Sequence, residues 1–189
     1  MKNIAIFASG SGTNAENIIK YFANSTDIAV KVVIYNKQDA GVVERATRLG
    51  IPSVYLNKAD MTDETKVIAT LDEYAIDYII LSGYLLLFPE YLLDKYKDKV
   101  LNIHPALLPK HGGKGFYGDK VHADVLKCGD KETGITIHVI DKNFDQGKTI
   151  FQAKCEVKPG DTVHDVAIRV HTLEYEWFPK IIEKYIKGV

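Results

Sequence analysis

The chain has 189 residues, 46% hydrophobic and 26% charged, with 24 basic and 25 acidic side chains and a formal net charge of -1. These are the proportions of one globular domain that buries its own core. They lack the basic excess that marks a nucleic-acid-binding surface, and two cysteines, Cys128 and Cys155, are too few for a disulfide framework. The apolar run in Met1–Phe7 stops before Gly10, too short for a signal sequence, and no later stretch reaches the length of a membrane span. A cytoplasmic protein with neither membrane nor nucleic-acid partner is expected. Its oligomeric state is left open between monomer and weak dimer. The sequon Asn24-Ser25-Thr26 carries no meaning without a secretory signal.

In chain order, Ile4–Ala8 reads as a short buried strand, followed by Gly10-Ser11-Gly12-Thr13-Asn14 and a helix to about Ala23. Ile28–Tyr35, rich in Val and Ile, is the second strand. Ala40–Leu49 reads as a helix closed by Gly50, with Pro52 beyond it, and Ser53–Leu56 as a third strand. Thr62 followed by Asp63 and Glu64 starts a helix that runs to about Ala75. Tyr78–Leu81 is the fourth strand, Pro89–Tyr96 a short helix and Val100–His104 the fifth strand. A helix over Asp119–Lys127 ends at Gly129. Gly134–Ile140 alternates like a strand, and Thr149–Glu156 is the last one. Thr162-x-x-Asp165 is a capping-box start to a long final helix, with Val163, Ala167, Val170, Trp177 and Ile181 on its apolar face. Strands alternating with helices predict an α/β fold with a mostly parallel sheet covered on both faces; the last two strands add antiparallel at one end.

Gly10-Ser11-Gly12-Thr13-Asn14-Ala15 lies between the first strand and the first helix. There, free N–H groups and the helix dipole favour a phosphate. A dinucleotide site would want a carboxylate at the end of the second strand, and this strand ends Ile34-Tyr35-Asn36-Lys37. The loop therefore reads as a monophosphate site. It also lacks the Gly-Lys-Ser/Thr ending of a P-loop.

Asn102 and His104 stand two apart at the end of a strand, so they share a face at the edge where parallel sheets bind ligands. Pro105 and Pro109 stiffen the exit. An amide can stabilise an oxyanion and an imidazole can move a proton near neutral pH. The loop after His138 offers Asp141 and Asp145 before Gly147, and a carboxylate beside an imidazole favours its charged form. Taken alone, a strand-end histidine is more often a hydrogen-bonded structural residue, and Asp before Gly is commonly turn chemistry. The histidines His104, His111, His122 and His138 show no metal-ligand spacing, and no metal is expected.

Six segments, in order, carry a resemblance: Ala8–Asn14, Asn36–Ala40, Leu81–Tyr84, Leu101–Pro109, Gly134–His138 and Arg169–Glu174. From Ile4 to the final helix the chain resembles the glycinamide ribonucleotide formyltransferases of de novo purine synthesis. That resemblance implies a single-domain, Rossmann-like fold. It implies transfer of a formyl group from 10-formyltetrahydrofolate, a cosubstrate, to the amine of N1-(5-phosphoribosyl)glycinamide. Asn102, His104 and Asp145 match the family's catalytic residues. Gly12, Thr13 and Asn14 match its phosphate loop, and His171 and Glu174 its ribonucleotide contacts on the final helix. Leu85, Leu86, Leu87 and Phe88, with Ile140 and Asp141, match its folate pocket. Residues up to about 100 would then hold the ribonucleotide phosphate, and residues from about 101 to 189 would carry catalysis and folate binding.

The chain departs from the family at Leu86, where an Arg is usual, and between Asp60 and Thr65, where a second Arg has no counterpart. It also carries an apparent insertion, Lys110–Gly118, with four glycines in nine residues. Whether that segment touches the site or is plain surface loop is open at this point. Rival readings are formyl transfer to an aminoacyl-tRNA, hydrolysis of formyl-folate, and a non-catalytic nucleotide-binding module. The tRNA enzymes carry an added nucleic-acid-binding domain, and the hydrolases a regulatory one.

Overall fold

The computed structural model describes residues 1–189. Seven strands form one sheet in the order β3-β2-β1-β4-β5-β6-β7. They are β1 (Lys2–Ala8), β2 (Ile28–Tyr35), β3 (Ser53–Tyr55), β4 (Tyr78–Leu81), β5 (Val100–His104), β6 (Glu132–Val139) and β7 (Thr149–Glu156). The first five run parallel, β6 turns antiparallel to β5, and β7 antiparallel to β6. The expected α/β architecture with its antiparallel end is therefore the observed one. β1 is buried throughout Ile4–Ala8, as a central strand covered on both faces must be.

Helices α1 (Thr13–Phe22), α2 (Val42–Arg48), α5 (Asp119–Cys128) and α6 (Val163–Lys187) cover one face through Ile18, Phe22, Ala46, Val125, Val170 and Phe178. Helices α3 (Glu64–Glu73) and α4 (Glu90–Lys95) cover the other, with Val67, Leu71 and Leu92 packed on Phe7, Ile34 and Ile79.

Several local expectations are corrected. The cap of α3 is Asp63, whose carboxylate accepts the Lys66 N–H; Thr62 instead ends a short 3-10 turn. α2 begins at Val42, because Ala40 and Gly41 still belong to the turn packed on the phosphate loop. β6 alternates in sequence, yet Thr136 and His138 are as buried as Ile135 and Ile137. α6 covers one side of this strand and the Pro105–Pro109 turn the other, so alternation here marks a polar buried face, not solvent.

The α6 capping box is present: Thr162 Oγ1 accepts the Asp165 N–H at 3.2 Å, and Asp165 Oδ2 accepts the Thr162 N–H at 2.8 Å. Its buried stripe is Val166, Val170, Glu174, Phe178 and Ile182, while Val163 and Trp177 are only half-buried. Pro179 lies inside this helix and has no N–H for the Tyr175 carbonyl four residues back. Asn17 of α1 donates to that carbonyl at 2.8 Å. The proline thus frees an acceptor that ties α6 to α1 close to the phosphate loop.

Candidate active site

Chain order reverses between β1 and β4, and the carboxyl ends of strands at such a switch point leave a crevice. A cavity of about 500 Å³ opens there. Hydrogen bonds stitch its floor: Ser9 N–H donates to the Gly83 carbonyl at 3.1 Å, and Leu85 N–H to Ser9 Oγ at 2.9 Å.

The Gly10–Asn14 loop lines the cavity. Gly12 has φ 78, and a Cβ there would meet Val42 Cα at 2.6 Å, so only glycine lets α1 start this close to α2. No side chain caps α1, which leaves its first N–H groups directed at the cavity. Glu16, in the first turn, is turned away into a cluster with Lys20, Arg45 and Arg48, whose hydrogen bonds and charges hold its pKa down at about 2. Arg45 also donates to the Ser11 carbonyl at 2.9 Å, bracing the loop from behind.

Beside it lies Glu174, a carboxylate only 4% exposed within the apolar stripe of α6. Its Oε2 accepts from Asn14 Nδ2 at 2.9 Å and from His171 Nδ1 at 2.7 Å. The Glu174 hydrogen bond raises the His171 pKa and outweighs the burial that opposes it. His122 of α5 is buried next to His171, their ring centroids 6.5 Å apart, and burial pushes its pKa down.

Leu85, Leu86, Leu87 and Phe88 line the cavity as well, with Ile140, Asp141, Asn143 and Phe144, and Leu86, Phe88 and Ile140 belong to one apolar cluster. Phe88 and Tyr84 meet Phe7 edge-on, which fixes that wall on the core.

Asn102, His104 and Asp145 line the same cavity. β5 and β6 pair Asn102 with His138 and His104 with Thr136. Asn102 Nδ2 only donates and lies 2.9 Å from His138 Nε2, so that nitrogen accepts and the ring is neutral; burial pushes its pKa the same way, down. That contact assigns the amide orientation and leaves a second amide proton on Asn102. His104 Nδ1 lies 3.5 Å from Asp145 Oδ2, and its Nε2 lies 2.8 Å from the His111 carbonyl. A carbonyl only accepts, so Nε2 carries a proton. Asp145 holds φ 57, a left-handed conformation. Its Oδ2 also accepts the Gly113 N–H at 2.9 Å. Thr136 Oγ1 accepts the Leu108 N–H at 2.9 Å and donates to the Ala106 carbonyl at 2.7 Å, fixing the turn that follows His104.

Every residue that the resemblance assigned lines this one cavity. Sequence reasoning did not single out His138 or Thr136; the polar alternation of β6 was the signal. It also left the glycine-rich segment open, and Gly113–Gly118 lines the cavity. Away from it, His111, Asp124 and Cys128 bring potential ligand atoms within 4.8 Å of one another, although both His111 nitrogens already face aspartates.

Residues 2–182 match the family model described as formyl transferase. The chain belongs to that family. Among curated proteins, this formyl transferase is 37% identical to the chloroplastic phosphoribosylglycinamide formyltransferase of Arabidopsis thaliana, covering 98% of this chain and 67% of that one. It is 35% identical to the Bacillus subtilis phosphoribosylglycinamide formyltransferase, over 98% and 95% of the two chains. A solved glycinamide ribonucleotide transformylase from Symbiobacterium toebii superposes with a TM-score of 0.89 at 32% identity, covering all of this chain and 89% of the other. No helix of this formyl transferase is long and apolar enough to cross a membrane.

Proposed function

We propose that the chain transfers a formyl group from 10-formyltetrahydrofolate to the amine of N1-(5-phosphoribosyl)glycinamide, a step of purine synthesis. One observation carries the reading: an anion-ready helix terminus, the apolar side chains of Leu85–Phe88, and Asn102, His104 and Asp145 all line one cavity. The phosphate lies on the N–H groups of Gly12, Thr13 and Asn14. Glu174 and His171 meet the ribose hydroxyls. Leu85–Phe88 and Ile140–Asp141 enclose the folate ring. The N-terminal half then supplies the phosphate loop, and the C-terminal half the reacting groups.

The amine attacks the formyl carbon, and the carbonyl oxygen takes up negative charge. The second amide proton of Asn102 and the protonated imidazole of His104 donate to that oxygen. Asp145, beside His104 Nδ1, balances the ring's charge and helps carry the proton from the amine to the departing N10. The step needs no metal and no covalent enzyme intermediate. Cytoplasmic location goes with this metabolic role.

The test is turnover with glycinamide ribonucleotide and a 10-formylfolate donor, read as the absorbance change on loss of the formyl group. His104→Ala lowers kcat by a factor on the order of 10² to 10⁴. Asp145→Asn at full rate would remove that carboxylate from the mechanism. Donor loss without the ribonucleotide would make the enzyme a hydrolase.

A further inference from the structure

Among the groups that the reaction does not use, His111 has both ring nitrogens on carboxylates. It opens the glycine-rich segment with φ 55, a conformation that a side chain other than glycine rarely adopts. Its ring is nearly buried between two carboxylates, with Nδ1 2.7 Å from Asp124 Oδ2 and Nε2 2.9 Å from Asp130 Oδ2. Ionised carboxylates only accept, so both ring nitrogens donate and the ring is an imidazolium. Burial opposes that charge, and the two aspartates outweigh it, leaving the His111 pKa raised. Lys110 bears on Asp130 from the far side at 3.1 Å, Lys131 and Glu132 line the same hollow, and Cys128 stands one helical turn beyond Asp124.

The backbone beside this anchored ring reaches the reacting groups at two points. The His111 carbonyl accepts a hydrogen bond from His104 Nε2 at 2.8 Å, and the Gly113 N–H donates to Asp145 Oδ2 at 2.9 Å. With its Nε2 proton held by the His111 carbonyl, the ring gains and releases its second proton, the one it offers the oxyanion, at Nδ1, which lies beside Asp145.

We propose that His111 is a positioning residue: pinned between Asp124 and Asp130, it holds the carbonyl that fixes the His104 tautomer and the amide that fixes Asp145. This rests on the roles given to His104 and Asp145 above. The glycine-rich segment is then the structural support of the reacting pair. The left-handed conformation of His111 is held by its two charged hydrogen bonds.

The experiment compares His111→Ala, Asp124→Asn and Asp130→Asn with the wild-type enzyme and with His104→Ala. Displacing a reacting group by about 1 Å costs on the order of 10²-fold, so His111→Ala lowers kcat by about 10- to 100-fold. KM for the ribonucleotide stays within about twofold, because its phosphate and ribose groups lie on other elements. The His111 pKa is raised, so the anchor is complete at low pH and is lost as pH rises through that raised value. In Asp130→Asn, which keeps a neutral partner and a foldable chain, the alkaline limb of kcat therefore moves to lower pH. Nitrogen-15 spectra of the histidine rings give a readout independent of turnover: His104 carries its proton on Nε2 in the wild type and becomes a tautomer mixture in His111→Ala. An unchanged or raised kcat with an unmoved alkaline limb overturns the proposal, as does an unaltered His104 tautomer. Full turnover in His104→Ala would instead overturn the functional reading itself.

Discussion

Gly147→Ala tests the site without removing any group that touches substrate. A Cβ at Gly147 would stand 1.8 Å from the Val139 carbonyl oxygen and 2.9 Å from Ile140 Cα, both backbone atoms of the edge on which the Asp145 loop rests. Relief requires the loop to withdraw by roughly 1.5 Å, since ordinary contact begins near 3.4 Å. Asp145 is two residues away. Its contacts at 2.9 Å to Gly113 and 3.5 Å to His104 have no such slack. A misplacement of this size costs about 10²-fold in rate, which is about 2.7 kcal/mol at 1.36 kcal/mol per decade. Steady-state assays with both substrates varied are expected to give a kcat lower by that factor and a nearly unchanged KM for the ribonucleotide. A urea titration run alongside separates this from loss of folded protein. A folded Gly147→Ala enzyme within twofold of the wild-type kcat would refute the dependence of the reaction on Asp145 placement.

Two further outcomes concern stability. Glu16 is held at about 2, below its unfolded value, so the Lys20–Arg45–Arg48 cluster contributes stability above the ordinary carboxylate range and loses it as pH falls toward 2. In Glu16→Gln, the acid limb of a melting-temperature profile is expected to be flatter, and an unchanged limb would contradict this. Thr136→Val leaves the Leu108 N–H and the Ala106 carbonyl unpaired beneath His104, at a cost on the order of 1–3 kcal/mol measured by urea unfolding. A loss well under 1 kcal/mol would mean that the turn is held by other contacts.

Much of this protein was legible in its sequence. Local signals had local causes: Gly50 and Gly129 at left-handed helix ends, the Thr162–Asp165 box, the apolar run Ile4–Ala8 of β1 and the Val- and Ile-rich β2. The spacing of Asn102 and His104 placed both on one strand edge, because a strand alternates faces every residue. The resemblance supplied what spacing could not, the choice of Asp145 over Asp141 and of Glu174 on α6.

Tertiary structure decided the rest. Glu174 sits in an apolar stripe, and only the arrival of Asn14 and His171, 160 and 3 residues away in sequence, explains a buried carboxylate there. Pro179 lies inside α6, and the Tyr175 carbonyl it frees is met by Asn17 of α1, a partner that no local pattern names. His138 read as one polar residue in an alternating strand, and its neutral ring orients Asn102 because β6 lies antiparallel beside β5. The glycine-rich segment gave no pattern by which its destination could be read. Its two contacts with His104 and Asp145 run through backbone atoms, and a backbone carbonyl or amide is the same in every sequence.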